Sequence, residues 1–269
     1  MNSLFLFASS LFLILCCQTV SSLAFQSPFK LPDFFPKVGG NGPSSSNRIL
    51  QLEDDLLGAI ENTEKRLDNS QVISDLVQQL EESTQGISDA AIAPQVLGKW
   101  RLLHTSNAAT ASPIQRKAVD ASKYNIYQDI VLRDDDGVDR LIVKQIVKFG
   151  KNFNLSVDAL ASTAKYPLEE LTEREGTGEI LGLNVLGVSK IGEEAKEDDS
   201  RPNSRISFVF DEGKFIFGDG KFTLPYPVPF RNPLFRDAVK GWIDVTYLSE
   251  RVRISRGNKG TTFVLAKEE

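Results

Sequence analysis

The spacing of apolar residues changes twice along this chain. Leu4 to Val20 is an apolar run that meets no charge before Lys30 and ends in the small residues Ser21, Ser22 and Ala24. That order predicts the apolar core and cleavage site of a secretory signal over 1–24. A signal anchor is the alternative, but Ser, Gln and Thr interrupt the run before the span a membrane helix needs. From 25 to 47 the chain is rich in Pro, Gly and Ser and sets Lys30 and Lys37 against a lone Asp33. This composition suits a transit peptide or flexible linker, so the folded domain is expected over 48–269.

Helical periodicity begins at Arg48. Leu52, Leu56, Ile60 and Leu67 fall near one face, with Glu53, Glu61, Glu64 and Lys65 away from it. Asn69 and Ser70 offer an N-cap for a second helix carrying Val72, Ile73, Leu76, Val77 and Leu80, and Gly86 and Pro94 end the helical region. Two helices are thus predicted within 48–84, packed on the rest of the domain or resting reversibly on a lipid surface. From Val96 the period falls to two. Phe153, Leu155 and Val157 alternate cleanly with polar residues, and Asp134-Asp-Asp-Gly137 reads as a turn between two strands. Arg205–Phe210 and Lys214–Phe217 read as a hairpin across Asp211-Glu-Gly213. Antiparallel strands of this kind bury an apolar face by closing into a barrel or a sandwich, which predicts a mainly β fold over 96–266 with amphipathic helices before it.

Composition narrows the chemistry. At 41% hydrophobic and 25% charged residues the chain is an ordinary globular one, and its net charge of -5 argues against nucleic acid as a partner. Both cysteines, Cys16 and Cys17, lie in the leader, and there is one histidine, His104. Neither a thiolate nor a histidine-rich metal site is expected in the processed chain, and no cofactor is implied. Asp134, Asp135 and Asp136 are too compact a cluster for a calcium loop.

The C-terminal stretch is the most specific. Pro225-Tyr-Pro-Val-Pro-Phe230 is followed by Gly241-Trp-Ile-Asp-Val-Thr-Tyr-Leu248 and Arg253-Ile-Ser-Arg-Gly-Asn-Lys-Gly260. In that order these segments resemble the end of the plastid lipid-associated protein (fibrillin, plastoglobulin) family, a lipocalin-like group. Gly98-Lys99-Trp100 likewise resembles the lipocalin signature, in which the indole closes one end of the barrel and an arginine from the last strands lies across it. Arg253 and Arg256 are the candidates, and Arg256 is favoured because it follows Val252 and Ile254 in parity. Gly98, Trp100, Asp244, Arg253, Arg256 and Gly257 form the structural signature, with Asp244 as a hydrogen-bond acceptor. The junction Ser22-Leu-Ala-Phe25 is similar to the signal-plus-transit junction of algae with secondary plastids, where an aromatic follows the cleaved bond.

The resemblance implies a non-enzymatic plastid protein that binds apolar metabolites such as carotenoids, quinones or fatty acids, or coats lipid droplets, plastoglobules or thylakoid membranes. Its interior contacts are expected at His104, Phe153, Leu155, Phe208, Phe210 and Tyr247. His104 stands where the family usually has an aromatic, and either fills the wall or meets a ligand. The proline loop cannot be a central strand. It is either a strap over the barrel or a rim in which Tyr226, Val228, Phe230 and Phe235 meet lipid or a protein partner. A barrel of about eight strands can also be filled by its own side chains, so periodicity alone leaves filled and hollow open. Two further readings remain, a lipid isomerase or cyclase using His104 or cavity carboxylates, and a structural partner in thylakoid assembly.

Overall fold

Strand alternation and turn glycines build a closed sheet. The structure, a computed structural model, describes residues 45–61, 69–83, 86–106, 121, 124–135, 137–168, 179–180, 183–184, 202–218, 220–226, 240–258 and 260–268. The expected signal segment and most of the expected linker lie outside these residues, as do Leu67, Val228, Phe230 and Phe235.

Two helices, α1 (Ser45–Glu61) and α2 (Ser70–Glu82), precede a 3-10 turn at Pro94–Val96. The strands follow as β1 (Gly98–Thr105), β2 (Asn125–Asp135), β3 (Val138–Lys148), β4 (Phe153–Ser162), β5 (Glu179–Ile180) and β6 (Leu183–Asn184). They continue as β7 (Arg205–Phe217), β8 (Phe222–Pro225), β9 (Lys240–Leu248), β10 (Val252–Gly257) and β11 (Thr262–Lys267). Nine strands form one antiparallel sheet in the order β4-β3-β2-β1-β11-β10-β9-β7-β8, and a further pairing of β4 with β7 closes it. Eight strands therefore make the ring, and β8 lies beside the far half of β7, where β9 has ended. Of the barrel and the sandwich that alternation allowed, the β4–β7 pairing selects the barrel, the form the lipocalin-like resemblance implies.

The expected hairpin across Asp211-Glu-Gly213 does not form. β7 runs through it as one strand of 13 residues. Asp158 pairs with Glu212 while Ala159 pairs with Phe210, so Asp211 is accommodated as a bulge against β4. A bulge absorbs one unpaired residue and bends the strand, which is how a long strand turns around a barrel. The tight turn falls later, between β7 and β8, where Gly218 and Gly220 take φ of 57° and 92°.

Three smaller differences concern the helices. α1 starts at Ser45 rather than Arg48. Asn69 stands at the N-cap of α2 but makes no capping bond with its side chain, which donates instead to the Ala59 carbonyl at 3.4 Å. Val72 is exposed, while Ile73, Val77 and Leu80 are buried. These three pack with Leu56 and Ile60 of α1 onto Val252, Ile254, Val264 and Tyr247. The helices thus cover the outside of β9, β10 and β11, so this part of the sheet is apolar on both faces.

Candidate functional site

The inner face is defined by a chain of cross-strand partners. Trp100 opposes Lys267 on one side and Gln128 on the other, and Gln128 opposes Gln145. Gly98 sits just before with φ of 114°, a conformation that strongly favours glycine, and lets the chain swing from the 3-10 turn into β1. Trp100 is fully buried and its indole N–H donates to the Val96 carbonyl at 2.8 Å. Strand directions put it at one end of the ring. Phe149, Phe153 and Phe217 gather at the other.

The arginine across the indole is Arg253, with its guanidinium carbon 4.9 Å from the ring centroid. This corrects the preference for Arg256. Arg256 does share a face with Val252 and Ile254, but that face looks outward, under the helices. Arg256 instead makes a two-pronged ion pair with Glu81 of α2 at 2.8 and 2.6 Å. Its inward neighbours on β10 are Arg253, Ser255 and Gly257. Lys267 places its ammonium 5.1 Å from the Trp100 ring and donates to the Gln95 carbonyl at 2.7 Å.

Arg253 is wholly enclosed. One guanidinium nitrogen, Nη2, donates to Gln128 Oε1, while Nε and Nη1 are buried with no hydrogen-bond partner among the described residues. Burial lowers its pKa from the ordinary 12.5 to about 9, because the charged form has lost its water. Two residues further along β10, the Ser255 hydroxyl is likewise buried with no partner among the described residues.

Most of the remaining interior is apolar. Leu155, Phe208 and Phe210 belong to the main core cluster or pack on it, with Val143, Val147, Ile206 and Val245. Phe153 stacks on Phe149 at 5.0 Å and on Phe217 at 4.9 Å between centroids, and Phe217 reaches Phe222 at 5.9 Å. Tyr124 adds an edge contact to Phe149 at 5.4 Å. The rings form a ladder from the partly buried end of the barrel to Phe222, which is 55% exposed.

Two expected interior residues are not inside. The pairing of β1 with β11 shifts between Leu102 and His104, so His104 opposes Val264 and shares its outward face, while Thr105 opposes inward Phe263. A bulge on β9 does the same to Tyr247. Ser255 opposes Val245 but Ile254 opposes Tyr247, so one residue is absorbed and Tyr247 turns outward beneath the helices. Tyr226, expected at a lipid rim, is 4% exposed and packs edge-on against Phe215 at 5.3 Å. Its backbone N–H donates to the Gly213 carbonyl at 2.7 Å, holding the start of the proline loop to β7. Exposed apolar side chains at this edge come instead from Phe222 and Leu224 of β8.

The PAP_fibrillin family model matches residues 50–266. The chain belongs to that family. Among curated relatives, this fibrillin chain is 32% identical over 254 residues to the probable plastid-lipid-associated protein 12, chloroplastic, of Arabidopsis thaliana. The match covers 93% of this chain and 47% of that protein, so the chain spans about half the length of this relative. It is 26% identical over 240 residues to the chromoplast-specific carotenoid-associated protein of Cucumis sativus, covering 84% of this chain and 70% of the relative. Plastid lipid-associated protein 1, chloroplastic, of Brassica campestris is 24% identical over 246 residues, with 86% and 71% covered. No solved structure is a significant match.

In this fibrillin chain Asp244 accepts two hydrogen bonds from Arg205, both at 2.8 Å, and Arg205 lies 3.8 Å over the Trp242 ring. Gly257 carries its N–H to the Thr261 carbonyl at the β10–β11 turn. Among the described residues no group of three or more His, Cys, Asp or Glu could hold a metal ion, and no helix is long and apolar enough to cross a membrane.

One outer pair went unnoticed in the sequence. Glu53 of α1 is 1% exposed, and its Oε1 accepts from the Tyr247 hydroxyl at 2.8 Å. Its Oε2 lies 3.8 Å from Arg251 Nη1. Burial, and then the bond to Glu53, raise the Tyr247 phenol far above its ordinary range. Tyr247→Phe should therefore cost about 1–3 kcal/mol, because it leaves a buried carboxylate oxygen without its donor. Urea unfolding of the two proteins measures it, and a loss below about 0.5 kcal/mol, the usual range of surface changes, would show that water replaces the hydroxyl. Helical spacing had put Glu53 on the solvent side of α1, and only docking onto the sheet reveals its partner.

Proposed function

We propose that this chain is a non-enzymatic lipid-associated protein of the plastid. It holds apolar metabolites (carotenoids, quinones or fatty acids) at the aromatic end of its barrel and rests that end on a lipid surface such as a plastoglobule or thylakoid membrane. The observation that carries the reading is the ladder of rings from Tyr124 through Phe149, Phe153 and Phe217 to exposed Phe222. Aromatic side chains offer large, rigid apolar contact, and an exposed apolar edge beside a ring's mouth suits a lipid interface. With a net charge of -5, such contact would be hydrophobic rather than a response to anionic headgroups. Phe153, Leu155, Phe208 and Phe210 are the ligand contacts in this reading, and Phe222, Leu224 and the loop residues Val228, Phe230 and Phe235 are the surface contacts.

The names of the relatives, lipid-associated and carotenoid-associated, support it, as do their chloroplastic and chromoplastic designations. The junction Ser22-Leu-Ala-Phe25 supports a plastid address reached through a signal and a transit segment. The isomerase or cyclase reading loses one of its two nominated groups, because His104 shares the outward face of Val264. The assembly-partner reading would have to use Phe222 and Leu224 in place of buried Tyr226.

The test is solvent extraction of full-length protein isolated from plastids, with flotation on lipid droplets in parallel. Pigment or lipid is expected in the extract, and Phe222→Ser with Leu224→Ser should reduce flotation several-fold. An empty protein that does not float would overturn the proposal. A fluorescent fusion should reach plastids, and its Phe25→Ala form should be retained on the way.

A further inference from the structure

The polar atoms at the base of the barrel have no internal explanation. Arg253 is 0% exposed and uses one of its three guanidinium nitrogens, on Gln128. Among the described residues its Nε and Nη1 and the Ser255 hydroxyl have no partner. Arg253 and Ser255 are two apart on β10, so both look inward from the same strand. Their cross-strand neighbours, Leu248, Leu265, Val245 and Phe263, are apolar and bring no acceptor. Buried donors left unpaired are costly, and a buried guanidinium is among the most costly. Among the described residues no carboxylate offsets the burial that lowers the Arg253 pKa.

We infer that Arg253 Nε and Nη1, with the Ser255 hydroxyl, receive the carboxylate of a fatty acid whose chain runs toward the ring ladder of Phe149, Phe153 and Phe217. The inference rests on the apolar-ligand reading above and adds to it the chemical class and the orientation. One guanidinium matches one carboxylate in charge. Lys267, which flanks the same indole, is engaged with the Gln95 carbonyl. A planar carboxylate fits a planar fork, and such charge-assisted bonds are the strong ones. The position is head-down: the acid lies beside Trp100, at the end of the ring opposite the exposed rings. Trp100 then does more than close the barrel, since its face holds the guanidinium that the ligand meets. A neutral ligand such as a carotene would leave the three polar atoms as they are.

The experiment compares hexadecanoate with hexadecanol on the full-length protein, by displacement of a fluorescent fatty-acid probe. Hexadecanoate should bind at least about tenfold more tightly, the gain expected of hydrogen bonds to a charged group. Arg253→Met should abolish the preference while the alcohol still binds. Should that variant fail to fold, Ser255→Ala keeps the arginine and should lower the preference by about threefold, one neutral donor's contribution. Nuclear Overhauser contacts from hexadecanoate labelled at carbon 2 should fall on the Trp100 indole. Equal binding of acid and alcohol, or contacts from carbon 2 to Phe153 and Phe217, would overturn the inference and leave the apolar-ligand reading standing. Binding of neither would remove both.

Discussion

Trp100→Ala should lower the stability of the domain by about 3–5 kcal/mol, the largest single effect expected in this molecule. Trp100 heads the largest side chains with essentially no exposed surface, and four things depend on it. Its area is withdrawn from water, its N–H satisfies the Val96 carbonyl, and its ring carries the Arg253 guanidinium on one side and the Lys267 ammonium nearby. Removing the ring leaves a cavity beside an already under-bonded arginine, so water or collapse must follow. A marginally stable domain can spare only about 5–15 kcal/mol in total. Trp100→Phe separates the contributions: it keeps an aromatic face but strands the buried Val96 carbonyl, at about 1–3 kcal/mol. Urea denaturation of all three proteins supplies the comparison. A loss near 1 kcal/mol for the alanine variant would mean that the base of the barrel is held mainly by the 3-10 turn and the strands.

Leu56→Ala should cost about 2–5 kcal/mol even though Leu56 lies in a helix outside the ring. It is fully buried in the cluster that joins α1 and α2 to Val252, Ile254 and Val264. Those three residues are fully buried on the outward face of β10 and β11, so loosening the helix would open an apolar stripe to water. Val72→Ser, on the exposed side of α2, is the control and should change stability by no more than about 0.5 kcal/mol. If Leu56→Ala behaved like the control, the helices would be dispensable cover and the outer cluster a loose one. The surrounding ion pairs, Arg251 to Asp54 at 2.6 Å and Arg256 to Glu81, are too exposed to hold the helices without that apolar contact.

Much of this architecture is legible in the order of residues. The period of two across Phe153, Leu155 and Val157 marks an inward face that continues through Ala159 and Ala161. Leu56 and Ile60 are readable as the buried face of α1 from their spacing, and Gly98-Lys99-Trp100 announces the start of the ring. What alternation carries is a division of each strand into two faces. It does not say which face is inside when both are apolar, and that is the case for β10, where helices cover the outer side. Arg253 and Arg256 could therefore be told apart only once the helices had docked.

Bulges account for most of the other differences. A single absorbed residue reverses every side chain beyond it. The shift at Leu102–His104 moves His104 outward, the one beside Tyr247 moves that phenol under the helices to Glu53, and the one at Asp211 joins two expected strands into β7. Local sequence thus determined the elements, their apolar faces and the indole at the base. The closed ring decided which faces look inward, because only closure and docking determine where a strand must bend, and each bend is made by skipping one residue.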